Sequence, residues 1–326
     1  MGHTTFRAAM LAVLFAFVPL AQAANAASTG MPAIRVTLLG TGTPSLSPER
    51  FGNSTLVQAG GLNLVFDAGR GATIRLAQLK VPLGSIDATF ITHFHSDHLN
   101  GLADLWTTSF LRTPQNGRTA PFELYGPTGI APIAQAMEAM FAPDVAIREA
   151  DAEVPPAATE VRVHAFDAPA VVFQRNGVRV SAFKVDHGKA IQPAVGYRID
   201  YAGHSVVISG DTRYDQRVID QAKGVDLLVH EVGAISTHHL EESWAKPVAG
   251  HHTSPEEAGK VFALAKPKMA VFSHISRPGP KDQSNTDQAI HDRAATAWDG
   301  PIVVGEDLMS FDIDSTVTLH RFEPQH

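Results

Sequence analysis

The chain has 326 residues, of which 44% are hydrophobic, and its formal net charge is −7 at neutral pH. A chain of this length buries a substantial core, and the absence of cysteine excludes both a disulfide framework and thiolate metal ligands. The mild acidity, without any basic run, argues against a nucleic-acid partner.

The first element in chain order has the pattern of an export leader. Arg7 gives a weakly positive start, residues 8–20 are an apolar run, and residues 21–23 and 24–26 are small-x-small cleavage sequences. The run is too short to span a membrane comfortably. We therefore expect a signal peptide over residues 1–23, cleaved there or a few residues later. The mature protein is then expected to be soluble, periplasmic or secreted, with no membrane contact.

Short β-rich runs follow the leader. Residues 34–39 predict a strand that runs into the tight turn Gly-Thr-Gly-Thr-Pro at residues 40–44. Residues 54–57 and 62–66 are apolar runs separated by two glycines, a pattern that predicts a β-hairpin.

The densest group of potential metal ligands is His-Phe-His-Ser-Asp-His at residues 93–98. The apolar run at residues 86–91 predicts a buried strand directly before it. The apolar spacing over residues 101–112 predicts a helix directly after it. The motif therefore lies on a turn between a strand and a helix.

The spacing within this motif favours shared metal binding. In a nearly extended segment, residues two apart point the same way, so His93 and His95 can bind one ion. Asp97 and His98 lie on the bend that follows and can face a neighbouring position. A histidine and aspartate cluster of this density is a specific signal for a metal site.

The rest of the chain alternates strands and helices. The patterns predict helices at residues 131–141 and 255–265, short strands between residues 160 and 209, and further strands at 227–230, 269–273, 302–306 and 309–312. We find no repeat, low-complexity tract or interdomain linker. This mixture predicts one layered α/β domain over residues 24–326.

Four later positions carry further potential ligand or catalytic residues, and three of them follow a strand, as His93 does. His187, Asp211 and His274 each follow an apolar strand, and the pair His251-His252 lies at the start of a helix. Strand ends and helix starts are where ligand side chains are commonly placed in layered α/β folds.

Together these residues resemble the signature of the metallo-β-lactamase superfamily: H-x-H-x-D-H, a lone histidine, an aspartate and a late histidine. The resemblance implies a four-layer αββα sandwich and two zinc ions per chain, with iron or manganese as the alternative metals. It implies that one ion is held by His93, His95 and His187, and the other by Asp97, His98 and His274, with Asp211 bridging. Asp97 and Asp211 are then also catalytic residues.

Further motifs are similar to the ribonuclease Z branch of that superfamily. They are Leu-Leu-Gly-Thr-Gly-Thr-Pro at 38–44, Asn-Ser-Thr at 53–55, Phe-Asp-Ala-Gly-Arg-Gly at 66–71, Gly-Tyr at 196–197, His-Glu at 230–231 and His-Thr-Ser at 252–254. The branch implies that Asp67 orients a ligand histidine and that His252 acts near the leaving group as a catalytic residue. His251 is the competitor for that role. Glu231 is expected to support the structure or a neighbouring histidine, not to bind metal.

One departure from that branch shapes the expected substrate. Ribonuclease Z usually carries a long tRNA-gripping insertion, but here only 23 residues separate His187 from Asp211. We therefore expect no tRNA partner. The motifs, leader and length are similar to periplasmic arylsulfatase-type members, which implies attack by a metal-bridging hydroxide on a small anionic ester, an aryl sulfate first.

Several alternatives remain open at this point. The same site suits a phosphodiesterase with ribonuclease Z-like activity, a lactonase or a β-lactamase, and an iron-dependent oxidoreductase belongs to a different class. A non-catalytic binding protein would have lost ligands, yet all seven are present. Dimers are common among relatives, so the resemblance allows a homodimer. The cations beside the motif loops, any of which could bind a substrate anion, are Arg70, Lys189, Arg213 and Arg277.

Overall fold

Two β-sheets and the helices that pack on them make up the fold in a computed structural model, which describes residues 1–3, 31–151 and 154–323. The strands are β1 (Ile34–Gly40), β2 (Ser54–Ala59), β3 (Leu62–Phe66), β4 (Ile86–Phe90), β5 (Phe122–Pro127), β6 (Val161–Phe166), β7 (Ala170–Arg175), β8 (Val178–Lys184), β9 (Val195–Tyr201), β10 (His204–Ile208), β11 (Leu227–Gly233), β12 (Met269–Ser276), β13 (Ile302–Val304), β14 (Ser310–Ile313) and β15 (Val317–His320). The helices are α1 (Ala72–Gln78), α2 (Ser96–Leu99), α3 (Leu102–Ser109), α4 (Ile130–Ala150), α5 (Pro156–Thr159), α6 (Gln216–Ala222), α7 (Ala245–Ala249), α8 (Pro255–Ala265) and α9 (Asp287–Ala295), with one 3₁₀ turn at Leu83–Ser85.

The strand order explains why potential ligands meet. One sheet has the order β15-β14-β1-β2-β3-β4-β5-β6, and the other has the order β13-β12-β11-β10-β9-β8-β7. Strands β3, β4 and β5 are parallel, as are β10, β11 and β12. Parallel neighbours bring their carboxyl ends to one edge of a sheet, where layered α/β proteins bind ligands. The predicted hairpin is present as the antiparallel pair β2 and β3.

Three apolar clusters separate four layers. The central cluster joins the sheets, with Phe66 of one sheet and Tyr197 of the other 5.3 Å apart between ring centroids. A second cluster packs Phe262 of α8 against the outer face of the second sheet. A third packs Trp106 of α3 against the outer face of the first sheet. Helix, sheet, sheet and helix therefore form the predicted αββα sandwich, and this prediction is confirmed.

Residues Pro32–His326 make up one compact unit, and Met1–Met31 are a separate unit. The apolar run and both cleavage sequences of the expected leader lie outside the described residues, so the leader stays a prediction. None of the helices in the described ranges has the length and apolar character needed to cross a bilayer.

Helix α4 is longer than the sequence analysis predicted. It continues past Phe141 and through Pro143 to Ala150. Proline removes the hydrogen bond to the carbonyl four residues earlier, which is normally costly inside a helix. Here that carbonyl belongs to Ala139, which is exposed, so water can satisfy it. The helix therefore tolerates a residue that usually ends one.

The loop between β1 and β2 is held in place from the other end of the chain. The side chain of Asp307 is 4% accessible, and its Oδ1 accepts hydrogen bonds from the backbone N–H and hydroxyl of Thr41 at 2.9 and 2.8 Å. Its Oδ2 accepts from the backbone N–H of Phe51 at 2.7 Å and from the guanidinium of Arg75 at 2.9 Å. One carboxylate thus fixes both ends of the loop.

We expect Asp307→Ala to lower the free energy of unfolding by about 3 kcal/mol, because it leaves the backbone N–H groups of Thr41 and Phe51 without their acceptor and removes the ion pair of Arg75. Urea denaturation followed by circular dichroism measures the change. The matched control is Asp314→Ala, which removes an exposed carboxylate that accepts one hydrogen bond. Equal stability of the two variants would contradict the role given to Asp307.

Candidate metal centre

The predicted histidine and aspartate motif lies between the end of β4 and the short helix α2. His95 has an extended backbone, with φ −66° and ψ 148°, so the side chains of His93 and His95 project together. Nε2 of His93 lies 3.0 Å from Nδ1 of His95. His93 is fully buried, whereas His95 is exposed. The motif therefore has the geometry that its spacing predicted.

All seven predicted ligands come together in one place. His187 follows β8, Asp211 follows β10, and His274 lies in the last part of β12. The ligand atoms of these seven residues form two groups, within each of which they lie no more than 4.8 Å apart: His93, His95, His187 and Asp211 in the first, and Asp97, His98 and His274 in the second. A third group, which overlaps both, consists of Asp211, His252 and His274.

One carboxylate oxygen lies between the two groups. Oδ2 of Asp211 is 3.8 Å from Nε2 of His93 and 3.5 Å from Nε2 of His187 in the first group. The same oxygen is 3.4 Å from Nε2 of His98 and 3.3 Å from Nε2 of His274 in the second. This is the position that a bridging ligand needs.

Several buried polar atoms in the centre have no partner among the described residues. They are Oδ1 of Asp97, Nε2 of His98 and Oδ1 of Asp211. A buried polar atom without a hydrogen bond costs about 1–3 kcal/mol. Imidazole nitrogen and carboxylate oxygen are ligands for zinc, iron and manganese, so bound cations would satisfy these atoms. The residues present fit a metal centre.

The protonation states of most of these groups suit metal binding. Burial lowers the pKa of His93 well below its ordinary value and that of His187 to about 4, so both imidazoles are neutral at pH 7. Burial favours the neutral form of Asp211, but His274 and His98 outweigh it and hold the pKa of Asp211 well below the usual range. Neutral imidazole and ionised carboxylate are the forms that bind cations.

His98 is the exception among these groups. Burial alone would lower its pKa, but the charges of Asp211 and Asp67 outweigh burial and raise the pKa well above the ordinary value. His98 must therefore lose a proton when a cation binds at Nε2.

Asp67 fixes the orientation of His98. Nδ1 of His98 donates to Oδ2 of Asp67 at 2.7 Å, which directs Nε2 toward Asp211. Asp67 is itself held by the backbone N–H of Thr92 at 2.8 Å and by Nδ2 of Asn53 at 3.1 Å. This is the contact that the expected orienting role requires, since such partners set the ring angle of metal-binding histidines.

The adjacent histidines at 251 and 252 have different surroundings. The backbone carbonyl of His251 accepts a hydrogen bond from Nδ1 of His187 at 2.8 Å. The ring of His251 lies against Gly188, where a Cβ atom would come within 2.9 Å of it. The ring of His252 instead faces the centre, with its centroid 5.4 Å from that of His274. The geometry therefore distinguishes two residues that the sequence could not separate.

Both carboxylate oxygens of Glu231 accept hydrogen bonds from the segment that follows His251. Oε2 accepts from Nδ1 of His252 at 2.8 Å, and Oε1 accepts from the backbone N–H of Thr253 at 2.7 Å. Burial alone would lower the pKa of His252, but the charge and hydrogen bond of Glu231 outweigh it and raise the pKa to about 9. His252 is therefore protonated at neutral pH. Glu231 is absent from the potential metal-binding groups of the described residues.

A cleft of about 500 Å³ opens beside His252 and His274. Its walls come from the loop at residues 42–50, from Val248 of α7 and from residues 275–278 with Lys281. The cationic side chains that line it are those of Arg50, Arg277 and Lys281. The carboxylate of Glu49 also lines the cleft, and Asp287 pairs with both arginines, so three cationic groups adjoin the centre with part of their charge offset.

Sequence reasoning found one of these three cations and missed two. Arg277 was among the four cations placed beside motif loops, but Arg50 and Lys281 belong to no charged motif. Arg50 reaches the cleft because its guanidinium bonds the carbonyl of Gly305 at 2.5 Å. It also shares the carboxylate of Asp287 with Arg277. These contacts depend on the tertiary structure, so no local sequence pattern predicts them.

The other three cations named from the sequence do not line this cleft. Arg213 forms an ion pair with Asp186. Arg70 lines a separate hollow on the other side of the loop at residues 46–52. Lys189 is exposed in the segment that follows His187.

Comparison with known families gives a consistent result. Residues 62–275 match the family model described as the beta-lactamase superfamily domain. A ribonuclease Z of Mycobacterium marinum is 34% identical over 289 residues, which cover 86% of this chain and 99% of that protein. A ribonuclease Z of Mycobacterium bovis is 35% identical over 291 residues, which cover 86% of this chain and 98% of that protein.

Solved structures share the fold at lower identity. The metallo-β-lactamase fold protein YhfI of Bacillus subtilis aligns with a TM-score of 0.64 at 18% identity, covering 85% of this chain and 98% of that one. The short form of human tRNase Z aligns with a TM-score of 0.63 at 22% identity, covering 86% of this chain and 99% of that one.

These relatives contradict the expected aryl sulfate substrate. Relatives named ribonuclease Z, similar over nearly their whole length, favour the phosphodiesterase alternative instead. The metal motif could not distinguish an aryl sulfatase from a phosphodiesterase, because a metal-activated hydroxide can attack both kinds of ester.

The expectations of a small anionic ester substrate and of no tRNA partner are contradicted as well. The interval between His187 and Asp211 does contain only ordinary strands, β9 and β10. That interval, the net charge and the expected export of the protein were the grounds for excluding tRNA. None of them reports on the cleft beside the centre, which Arg50, Arg277 and Lys281 line.

Replacing Glu231 with glutamine removes the charge beside His252 and leaves a side chain of similar shape. We expect the pKa of His252 to fall from about 9 toward the ordinary histidine range, because the burial that lowers it is no longer outweighed. NMR titration of the metal-free protein measures this shift. Glu241→Gln, at an exposed carboxylate, is the control, and an unchanged pKa in E231Q would rule out Glu231 as the source.

Proposed function

The chain belongs to the metallo-β-lactamase superfamily, in its ribonuclease Z-like branch, and from this premise we propose that it is a metal-dependent phosphodiesterase that cleaves RNA. The observation that carries the proposal is 34% identity to a ribonuclease Z over 99% of that protein, combined with seven gathered ligand residues. tRNA is the first RNA class to test, since a tRNase Z shares the fold.

We propose that the centre holds two zinc ions. His93, His95 and His187 would hold one ion, Asp97, His98 and His274 the other, and Asp211 would contact both. When bound, such ions supply a hydroxide near neutral pH and neutralise charge that develops on the phosphate. The clustering of the ligand atoms and the orphaned buried oxygens support this assignment.

Side chains around the centre would supply the proton donor and the groups that bind phosphate. His252 is protonated at neutral pH and faces the cleft, so it can donate a proton to the leaving oxygen. Glu231 keeps the proton on Nε2 available by binding Nδ1. Arg277 and Lys281 line the same cleft and can bind phosphate groups of the RNA backbone.

We expect zinc-loaded protein to cleave a tRNA precursor transcript, a short single-stranded RNA and bis(p-nitrophenyl) phosphate, and to lose all three activities with a chelator. p-Nitrophenyl sulfate is the matched control, because it has the same leaving group on sulfur. Metal analysis of the same sample counts the bound ions. Protein that contains two metal ions yet cleaves none of the three phosphodiesters would overturn the proposal.

For His252→Ala, we expect turnover of RNA to fall about 100-fold or more, because the leaving oxygen loses its proton donor. Turnover of bis(p-nitrophenyl) phosphate should fall much less, since p-nitrophenolate leaves without protonation. Steady-state kinetics on both substrates measure the difference. His251→Ala is the adjacent control, because it keeps the backbone carbonyl that binds His187. An equal loss on both substrates would argue against proton donation.

A further inference from the structure

We propose that Trp244 is a stacking platform for the base of the nucleotide that carries the leaving oxygen. The proposal rests on the proposed RNA phosphodiesterase function and adds a substrate-positioning residue to it. Trp244 belongs to no motif of the sequence analysis, and it lies outside the candidate metal centre.

Trp244 is exposed although it is large and apolar. Among the described residues, the exposed phenylalanine, tyrosine and tryptophan side chains are those of Tyr214 and Trp244, each 39% accessible. The other described tryptophans behave differently, because Trp106 is fully buried and Trp298 is half-buried against Phe262. An exposed indole offers a flat face on which any nucleobase can stack.

Trp244 does not itself line the cleft. Its indole contacts Gly279 and lies 5.9 Å, between ring centroids, from His239, and residues close to it in sequence reach the cleft. Trp244 precedes α7, and Val248, four residues later, lines the cleft that contains His252. Residues four apart lie on the same face of a helix. Because His252 is the proposed proton donor to the leaving oxygen, a base next to Trp244 belongs to the nucleotide on the leaving side.

The indole is held firmly from behind by the segment after β12. A Cβ atom on Gly279 would come within 2.2 Å of Trp244 Cη2, so the ring lies directly on the backbone of Gly279. Gly279 has φ +80°, which also favours glycine. Its neighbours Pro278 and Lys281 line the cleft. The platform and the cationic wall are therefore parts of one surface.

A second contact ties these two segments together. Asp282 accepts hydrogen bonds from the hydroxyls of Ser236 and Ser284, the latter at 2.6 Å, and Ser284 accepts one from the backbone N–H of Thr237 at 3.0 Å. The loop that carries Trp244 is thus fixed to the loop that carries Lys281. A platform fixed before binding loses little conformational freedom when a base stacks on it.

The test compares Trp244→Ala, Trp244→Phe and the control Leu240→Ala, an equally exposed apolar residue on the same loop. The substrate is a short single-stranded RNA cut at a mapped bond, and its partner lacks the base on the leaving-side nucleotide. We expect W244A to raise KM for the intact RNA about tenfold, with little change in kcat. W244F and L240A should stay near wild type, and all variants should have similar KM values on the abasic RNA.

Binding gives a readout that does not need cleavage. Oligoadenylate of five nucleotides should quench the tryptophan fluorescence of the zinc-loaded protein, and W244F should lose that quenching. Absence of quenching, or an equal loss of activity by W244A on both RNAs, would overturn the stacking role. Quenching by oligoadenylate, in protein that contains two metal ions and cleaves none of the three phosphodiesters named above, would support the platform and overturn the phosphodiesterase proposal instead.

Discussion

The rest of the centre depends on the contacts that the carboxylate of Asp211 makes with the surrounding histidines. Its Oδ2 lies within 3.8 Å of four imidazole nitrogens that come from both groups of potential ligands. Four buried histidines without a nearby anion would repel one another on protonation and would leave polar nitrogens unsatisfied. The parallel strands β10, β11 and β12 bring Asp211 and His274 to this position, so the sheet order is a condition for the site.

Two further carboxylates near Asp211 each orient one histidine. Asp67 orients His98 on the metal side, whereas Glu231 orients His252 on the cleft side. Against the effect of burial, both carboxylates raise the pKa of the histidine that they bind. They differ in where the other ring nitrogen points, because Asp67 directs Nε2 of His98 toward Asp211, whereas the ring of His252 lines the cleft.

Much of the fold and of the centre could be predicted from the sequence, because the relevant signals are local. The spacing of His93, His95, Asp97 and His98 sets the geometry of one turn, and alternating strand and helix patterns set the layers. The length of α4 could not be predicted, because it depends on an exposed carbonyl at Ala139. The cations of the cleft were missed since Arg50 reaches it through Gly305, 255 residues away. The substrate expectation was wrong because it relied on the short interval between His187 and Asp211 and on the leader, whereas relatives named ribonuclease Z match this chain over nearly their whole length.

The anchoring of the β1–β2 loop has a consequence for how the protein is made. Asp307 binds Thr41 across 266 positions of sequence, and the loop between Thr41 and Phe51 forms one wall of the cleft. Chains are made from the amino terminus, so this carboxylate cannot hold the loop until synthesis has passed residue 307. All seven potential ligands, of which His274 is the last, precede it in the sequence. The chain therefore completes its set of ligand residues before it has the residue that fixes this wall of the cleft.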